Sequence, residues 1–116
     1  MLNYPQNLDG VFQALADPAR RAMVERLGQG PASVKELAAP FAMSLPAVLL
    51  HLRVLEASGL IRSEKVGRVR TCRIEPEALG AAERWFNRQR ATWERRLDRL
   101  GALLAETPDP TEGNAS

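Results

Sequence analysis

Residues Ser33–Leu60, SVKELAAPFAMSLPAVLLHLRVLEASGL, read as two short helices joined by a tight turn. Ser33 and, three residues on, Glu36 have the form of a capping box, in which each side chain satisfies a backbone N–H that the helix start leaves without a partner. Val34, Leu37, Ala38 and Phe41 give this helix a small apolar face at helical spacing. Pro40 keeps it short, because proline lacks the N–H and disfavours helix in the residue before it. After Ala42 and Met43, Ser44 is a second N-cap, and Pro46 falls in the first turn, where a missing N–H breaks no bond. At about 100° per residue, Leu45, Val48, Leu52 and Leu55 gather on one side, while Pro46, Ala47, Leu50, Arg53 and Val54 lie on others. Ser58-Gly59 ends the second helix, since glycine takes the left-handed conformation without a steric penalty. This order is the helix-turn-helix pattern, although an amphipathic helix pair in a bundle would look the same in isolation. The exposed start of the second helix is mostly small and apolar, which suits close approach to a major groove with its thymine methyls.

Beyond Gly59 the period changes. Residues 60–66 and 69–74 read as two extended segments, the second rich in β-branched side chains, around a Gly67-Arg68 turn. Between Ser44 and Ile74 the basic residues are Arg53, Arg62, Lys65, Arg68, Arg70 and Arg73, against only Glu56 and Glu64. That segment therefore carries a local charge of +4 in a chain whose net charge is +2. A basic segment on a near-neutral body is a footprint for a polyanion. A hairpin directly after a helix-turn-helix can lie along a phosphate backbone or place arginine in a minor groove. The same charges would also guard a sheet edge against aggregation.

Towards the N-terminus, residues 8–16 read as a helix with Val11, Phe12 and Leu15 on one face. Asp17-Pro18 breaks the chain and starts a second helix, Pro18–Leu27, as N-cap and N1. Ala22, Met23 and Leu27 are its apolar side, with Arg20, Arg21, Glu25 and Arg26 solvated, and Ala32 is a short extended piece. Towards the C-terminus, a long helix runs from about Glu77 to Glu106. Leu79, Phe86, Trp93 and Leu100 recur every seven residues, with Leu97 and Leu104 as a companion row. Such spacing suits packing against another helix, either from a second copy of the chain or within an intramolecular groove. One small core would struggle to cover all of these side chains, which favours the second copy. The fold class expected is mainly α with a small β-hairpin. Residues 1–106 are expected to form one domain, and the polar, proline-containing residues 107–116 a disordered tail.

Composition narrows the function. The 116 residues, 45% of them hydrophobic, suffice for one modest core. No apolar run approaches the roughly 20 residues of a membrane span, and the N-terminus lacks a basic region followed by an apolar run, so a cytoplasmic location is expected. A single cysteine, Cys72, excludes an internal disulfide. One cysteine and one histidine predict neither a metal centre nor a cofactor. They also make no recognisable nucleophile–base set, which argues for a binding protein rather than an enzyme.

The strings LADPARRAMVERL, SVKELA and HLRVLEASGLIRSEKVGRVRTCRI, followed by the Trp-, Arg- and Leu-rich last helix, resemble the ArsR/SmtB family of winged helix-turn-helix bacterial repressors from about Leu8 to Leu104. The resemblance implies a homodimer built by the first and last helices, with Phe12, Leu79, Phe86, Trp93, Leu97, Leu100 and Leu104 at the interface. It implies that the helix from Ser44 reads double-stranded operator DNA and that the hairpin is the wing. The candidate DNA contacts are Ser44, Pro46, Ala47, Leu50, His51, Arg53, Lys65, Arg68 and Arg70. Two departures stand out. SVKELAAPF lacks the cysteines with which many members sense metal, and the last helix has no histidine, so no metal ligand is expected. Leu49-Leu50 stands where members often have a polar or basic pair, so Leu50 meets either apolar base edges or a protein. His51 is either a phosphate contact or a packing histidine, and Cys72 either a structural residue or a redox sensor. An unidentified small-molecule or protein effector is left open as a partner. The rival to an operator-binding regulator is a protein-interaction dimer using the same surface.

Overall fold

The computed structural model describes residues 8–106. The elements are α1 (Leu8–Leu15), α2 (Pro18–Leu27), β1 (Ala32–Ser33), α3 (Val34–Ala38), α4 (Leu45–Ala57), β2 (Ile61–Val66), β3 (Val69–Ile74) and α5 (Pro76–Glu106). The expected tail at 107–116 lies outside the described residues. The chain divides into two compact units, one up to Ala82 and one from Glu83 onward.

In the first unit, local chemistry sets most of the boundaries. Asp17 caps α2, its Oδ1 accepting from the N–H groups of Ala19 at 2.8 Å and Arg20 at 3.1 Å. The Arg20 N–H foremost, with that of Ala19, holds the Asp17 carboxyl below its ordinary range despite some desolvation. The Ser33–Glu36 capping box is present in both directions, with Glu36 Oε1 accepting from Ser33 N at 2.8 Å and Ser33 Oγ from Glu36 N at 3.1 Å. Ser44 Oγ accepts from Ala47 N at the start of α4. At the other end of α4, Gly59 N–H donates to Glu56 O and Leu60 N–H to Leu55 O. With Gly59 at φ +85°, this is a Schellman motif, closed by the fully buried pair Leu55 and Leu60.

Helix α1 ends without a basic residue in its last turn. Arg20 and Arg21, at the start of α2, donate to carbonyls of that last turn. Arg20 Nε donates to Ala14 O at 2.7 Å and Nη2 to Gln13 O at 3.3 Å, and Arg21 Nη1 donates to Leu15 O at 2.7 Å. Cations there also oppose the partial negative charge of the helix end. Arg20 is accordingly half-buried, not solvated as its place in the helical pattern suggests, and Ala22, expected on the apolar side, is exposed.

The core gathers Val11 and Ala14 of α1, Met23 and Leu27 of α2, Leu37 of α3, and Val48, Leu52 and Leu55 of α4 around Ile61, Cys72 and Ala78. Leu45 departs from the expected apolar face of α4. It is 53% exposed, and Val48 is the first residue of the helix that the core covers. The hairpin is part of a three-stranded antiparallel sheet of order β1-β3-β2, not a free two-stranded ribbon. Ala32 pairs with Cys72 and Ser33 with Thr71 on one side of β3. On its other side the register runs from Ile61 opposite Ile74 to Val66 opposite Val69. Gly67 sits at φ +64° in the two-residue turn, where the hairpin turns that match strand twist require a positive φ.

Helix α5 starts one residue before the position expected. Its first turns supply the buried Ala78, Ala81 and Ala82 to the first unit. In the second unit, Phe86, Trp93, Leu97, Leu100, Leu103 and Leu104 are exposed. Trp85 and Phe86 meet edge to face, with ring centroids 5.2 Å apart.

Candidate nucleic-acid interface

Two elements of the first unit carry the candidate contacts: the N-terminal half of α4 and the β2–β3 hairpin. At the start of α4 the Ser44 hydroxyl is engaged as the cap, so its other lone pair and its proton remain for a ligand. Ser44 and Pro46 are exposed and Ala47 is half-buried. Leu50 is 58% exposed, as its angle on the helix predicts. Leu45 and Leu49 are exposed beside it. The helical period missed Leu45 because periodicity gives direction around a helix and not how far along it the core extends.

His51 is half-buried, and its Nδ1 lies 3.2 Å from Nη1 of Arg20. Arg20 was absent from the candidates because its approach to α4 is a tertiary contact spanning 31 residues of sequence.

The basic segment divides into paired and unpaired cations. Arg62 meets the Glu75 carboxylate at 3.3 Å and Arg73 that of Glu64 at 3.2 Å. Both pairs are solvent-exposed and of small energetic weight. Arg70 Nη1 donates to Ser63 Oγ at 2.9 Å, and Ser63 Oγ donates to Glu56 Oε2 at 2.6 Å. This chain ties the hairpin to the C-terminal half of α4. Arg53, Lys65 and Arg68 have neither an ion pair nor a hydrogen bond from their side chains among the described residues. Between α4 and the hairpin lies a groove of about 290 Å³, lined by Leu49, Leu52, Arg53, Glu56, Ser63, Arg70 and Cys72. Exposed cations along one hairpin, together with a helix whose N-terminal residues are exposed and largely apolar, can track a polyanion backbone and touch apolar base edges.

Cys72 faces the other way chemically. It is 1% exposed, and burial, reinforced by Glu56 and opposed by Arg70, pushes its thiol pKa up. A thiol so placed is poorly ionised and fits the packing role rather than the redox one. Among the described residues, no three His, Cys, Asp or Glu side chains are grouped to hold a metal ion. Helix α3, VKELA, offers neither sulfur nor imidazole. No helix among the described residues is long and apolar enough to cross a membrane.

Comparison with known proteins agrees with this geometry. A family model described as a helix-turn-helix domain matches residues 15–64. HTH-type transcriptional regulator Rv2034 of Mycobacterium tuberculosis is 39% identical over 103 residues, which cover 89% of this chain and 94% of that protein. The crystal structure of an ArsR family transcriptional regulator is 55% identical and superposes with a TM-score of 0.73, covering 81% of this chain and 97% of the other. The solution structure of the homodimeric winged helix-turn-helix DNA-binding domain of Mb0332 from Mycobacterium bovis is 26% identical, with a TM-score of 0.57 over 79% of this chain and 82% of that one. The element order, the three-stranded sheet with its basic hairpin and the extent of these matches lead to one assignment: the chain belongs to the ArsR/SmtB family of winged helix-turn-helix transcriptional regulators.

Proposed function

We propose that this regulator is a homodimeric repressor that binds operator DNA through α4 and the hairpin and does not respond to metal. The observation that carries the DNA reading is the set of cations without carboxylate partners, Arg53, Lys65, Arg68 and Arg70, on α4 and on a hairpin tied to the C-terminal half of that helix, whose N-terminal residues are exposed. Ser44, Pro46, Ala47, Leu50 and His51 would meet base edges and the adjoining phosphates, and the four cations would neutralise backbone charge. The stripe Leu79, Phe86, Trp93, Leu97, Leu100 and Leu104 on α5, with Phe12 of α1, would close the dimer. The description of the Mb0332 domain as homodimeric supports this. Residues 1–106 would then serve as one DNA-binding and dimerisation module.

Selection of bound fragments from sheared genomic DNA, followed by affinity measurements across a salt series, tests the reading. A regulator of this kind enriches a defined, two-fold symmetric site and loses affinity steeply as salt rises. Exposed Leu45, Leu49, Leu50, Val66 and Val69 would also suit a protein partner. Salt-insensitive behaviour and no enriched sequence would favour that second reading.

A further inference from the structure

Arginine has five N–H donors and no acceptor. A hydrogen bond between the Arg20 guanidinium and the His51 ring therefore has only one polarity. Nη1 donates, and Nδ1, at 3.2 Å, accepts through its lone pair. A nitrogen that accepts carries no proton, so the proton of the neutral imidazole resides on Nε2.

The guanidinium cannot easily leave. Its Nε is bound to Ala14 O at 2.7 Å and its Nη2 to Gln13 O at 3.3 Å. Both carbonyls belong to the last turn of α1; Gln13 O also accepts from Ala16 N–H at 3.2 Å. Arg20 is thus fixed by the end of one helix and presents its remaining arm to a side chain of another. His51 Nε2 makes no hydrogen bond among the described residues. His51 follows Leu50 on α4, in the second turn from the Ser44 cap.

We propose that Arg20 is a positioning residue for DNA binding: it locks His51 in the Nε2–H tautomer and aims that N–H, as a preset donor, at a phosphate oxygen of the operator backbone. The inference rests on the DNA-binding role proposed above. The Arg20 guanidinium is taken up by Ala14 O, Gln13 O and the His51 ring. It removes the tautomer exchange and ring rotation that a free imidazole would have to give up on binding.

Two measurements test it. Long-range proton–nitrogen NMR correlations on the free wild-type protein at neutral pH identify which ring nitrogen of His51 is protonated. A single Nε2–H tautomer is expected, and an Nδ1–H ring or a mixture of the two overturns the lock. This measurement needs neither DNA nor a variant. The second is a double-mutant cycle on operator affinity, with melting temperatures recorded to select conditions where each variant is folded. His51→Ala should weaken binding roughly tenfold, the scale of one hydrogen bond to a charged group. Arg20→Met should weaken it severalfold, and the double variant should bind no worse than His51→Ala alone. Losses that multiply show that Arg20 acts independently of His51 and overturn the proposal, as does a His51→Ala protein with full affinity. A wild-type chain that binds no duplex overturns the phosphate role together with the regulatory reading, whereas an Nδ1–H ring in a DNA-binding protein overturns the Arg20 role alone.

Discussion

Lys65 stands directly opposite Arg70 across the β2–β3 hairpin, and no carboxylate lies between them. Like charges at facing strand positions destabilise a hairpin. Arg62 and Arg73 face each other in the same way, but each has a carboxylate at hand. A phosphate run would give Lys65 and Arg70 the counter-charge that Arg62 and Arg73 already have.

Lys65→Gln should therefore leave stability unchanged or raised by about a few tenths of a kcal/mol, while weakening binding to every duplex. Arg68→Ala with Arg70→Ala should flatten the dependence of log affinity on log salt by about one for each lost phosphate contact. Thermal melting and fluorescence anisotropy across salt concentrations read both. A folded double variant with wild-type affinity and slope would remove the hairpin from the DNA interface.

Leu50→Ala should leave stability within about 0.5 kcal/mol of wild type, because the side chain is mostly exposed and outside the core. Leucine offers no hydrogen bond to a base, so its loss should relax preference at one A·T position by roughly 1 kcal/mol without altering nonspecific affinity. Binding to a library of operator variants decides this. An unchanged base preference would assign Leu50 to a protein partner.

Trp93 is 49% exposed in the single chain, so Trp93→Ala should cost little within one copy and much between two. If the indole becomes fully buried on dimerisation, the loss is about 3 kcal/mol or more, over roughly a hundredfold in dimer Kd. Sedimentation velocity at tens of micromolar measures it. A wild-type monomer at that concentration would defeat the homodimer.

The raised Cys72 pKa has a pH consequence. The folded protein keeps the thiol proton at pH values where the unfolded chain has lost it, so the native state binds more protons. Its stability should fall as pH rises past about 8.5, and Cys72→Ala should remove that component of the decline. At neutral pH, alkylating reagents should leave the native thiol unmodified, and cadmium should leave operator affinity unchanged. Rapid labelling of the folded protein, or DNA release by a stoichiometric metal, would contradict this.

Much of the fold was readable where chemistry is local. Asp17, Ser33 and Ser44 cap helices at the positions their side chains dictate, and Gly59 ends α4 with the backbone conformation glycine favours. The facing of Lys65 and Arg70 follows from a two-residue turn by counting outward from Gly67-Arg68. What stayed hidden depends on distant partners. Ala32 reads as a short extended piece, but its pairing, with Ser33, to β3 as a third strand does not show in the sequence. Arg20 reads as one more solvated helix cation until α1 and α4 come together around it. The bond from Ser63 to Glu56 likewise depends on how β2 packs on α4.

Strand β3 is held on both sides only at its middle residues. Cys72 and Thr71 have partners on β1 and on β2, whereas Arg70 and Val69 are paired to β2 alone. The wing is in effect a cantilever, clamped at the root and free at the tip. Its outer amides should exchange with deuterium well before those of Thr71 and Cys72, without any opening of the core. If the wing meets a DNA groove as proposed, the same graded compliance would let the tip follow the groove's width while the root stays in register with the helix-turn-helix, at the cost of hairpin bending and not unfolding.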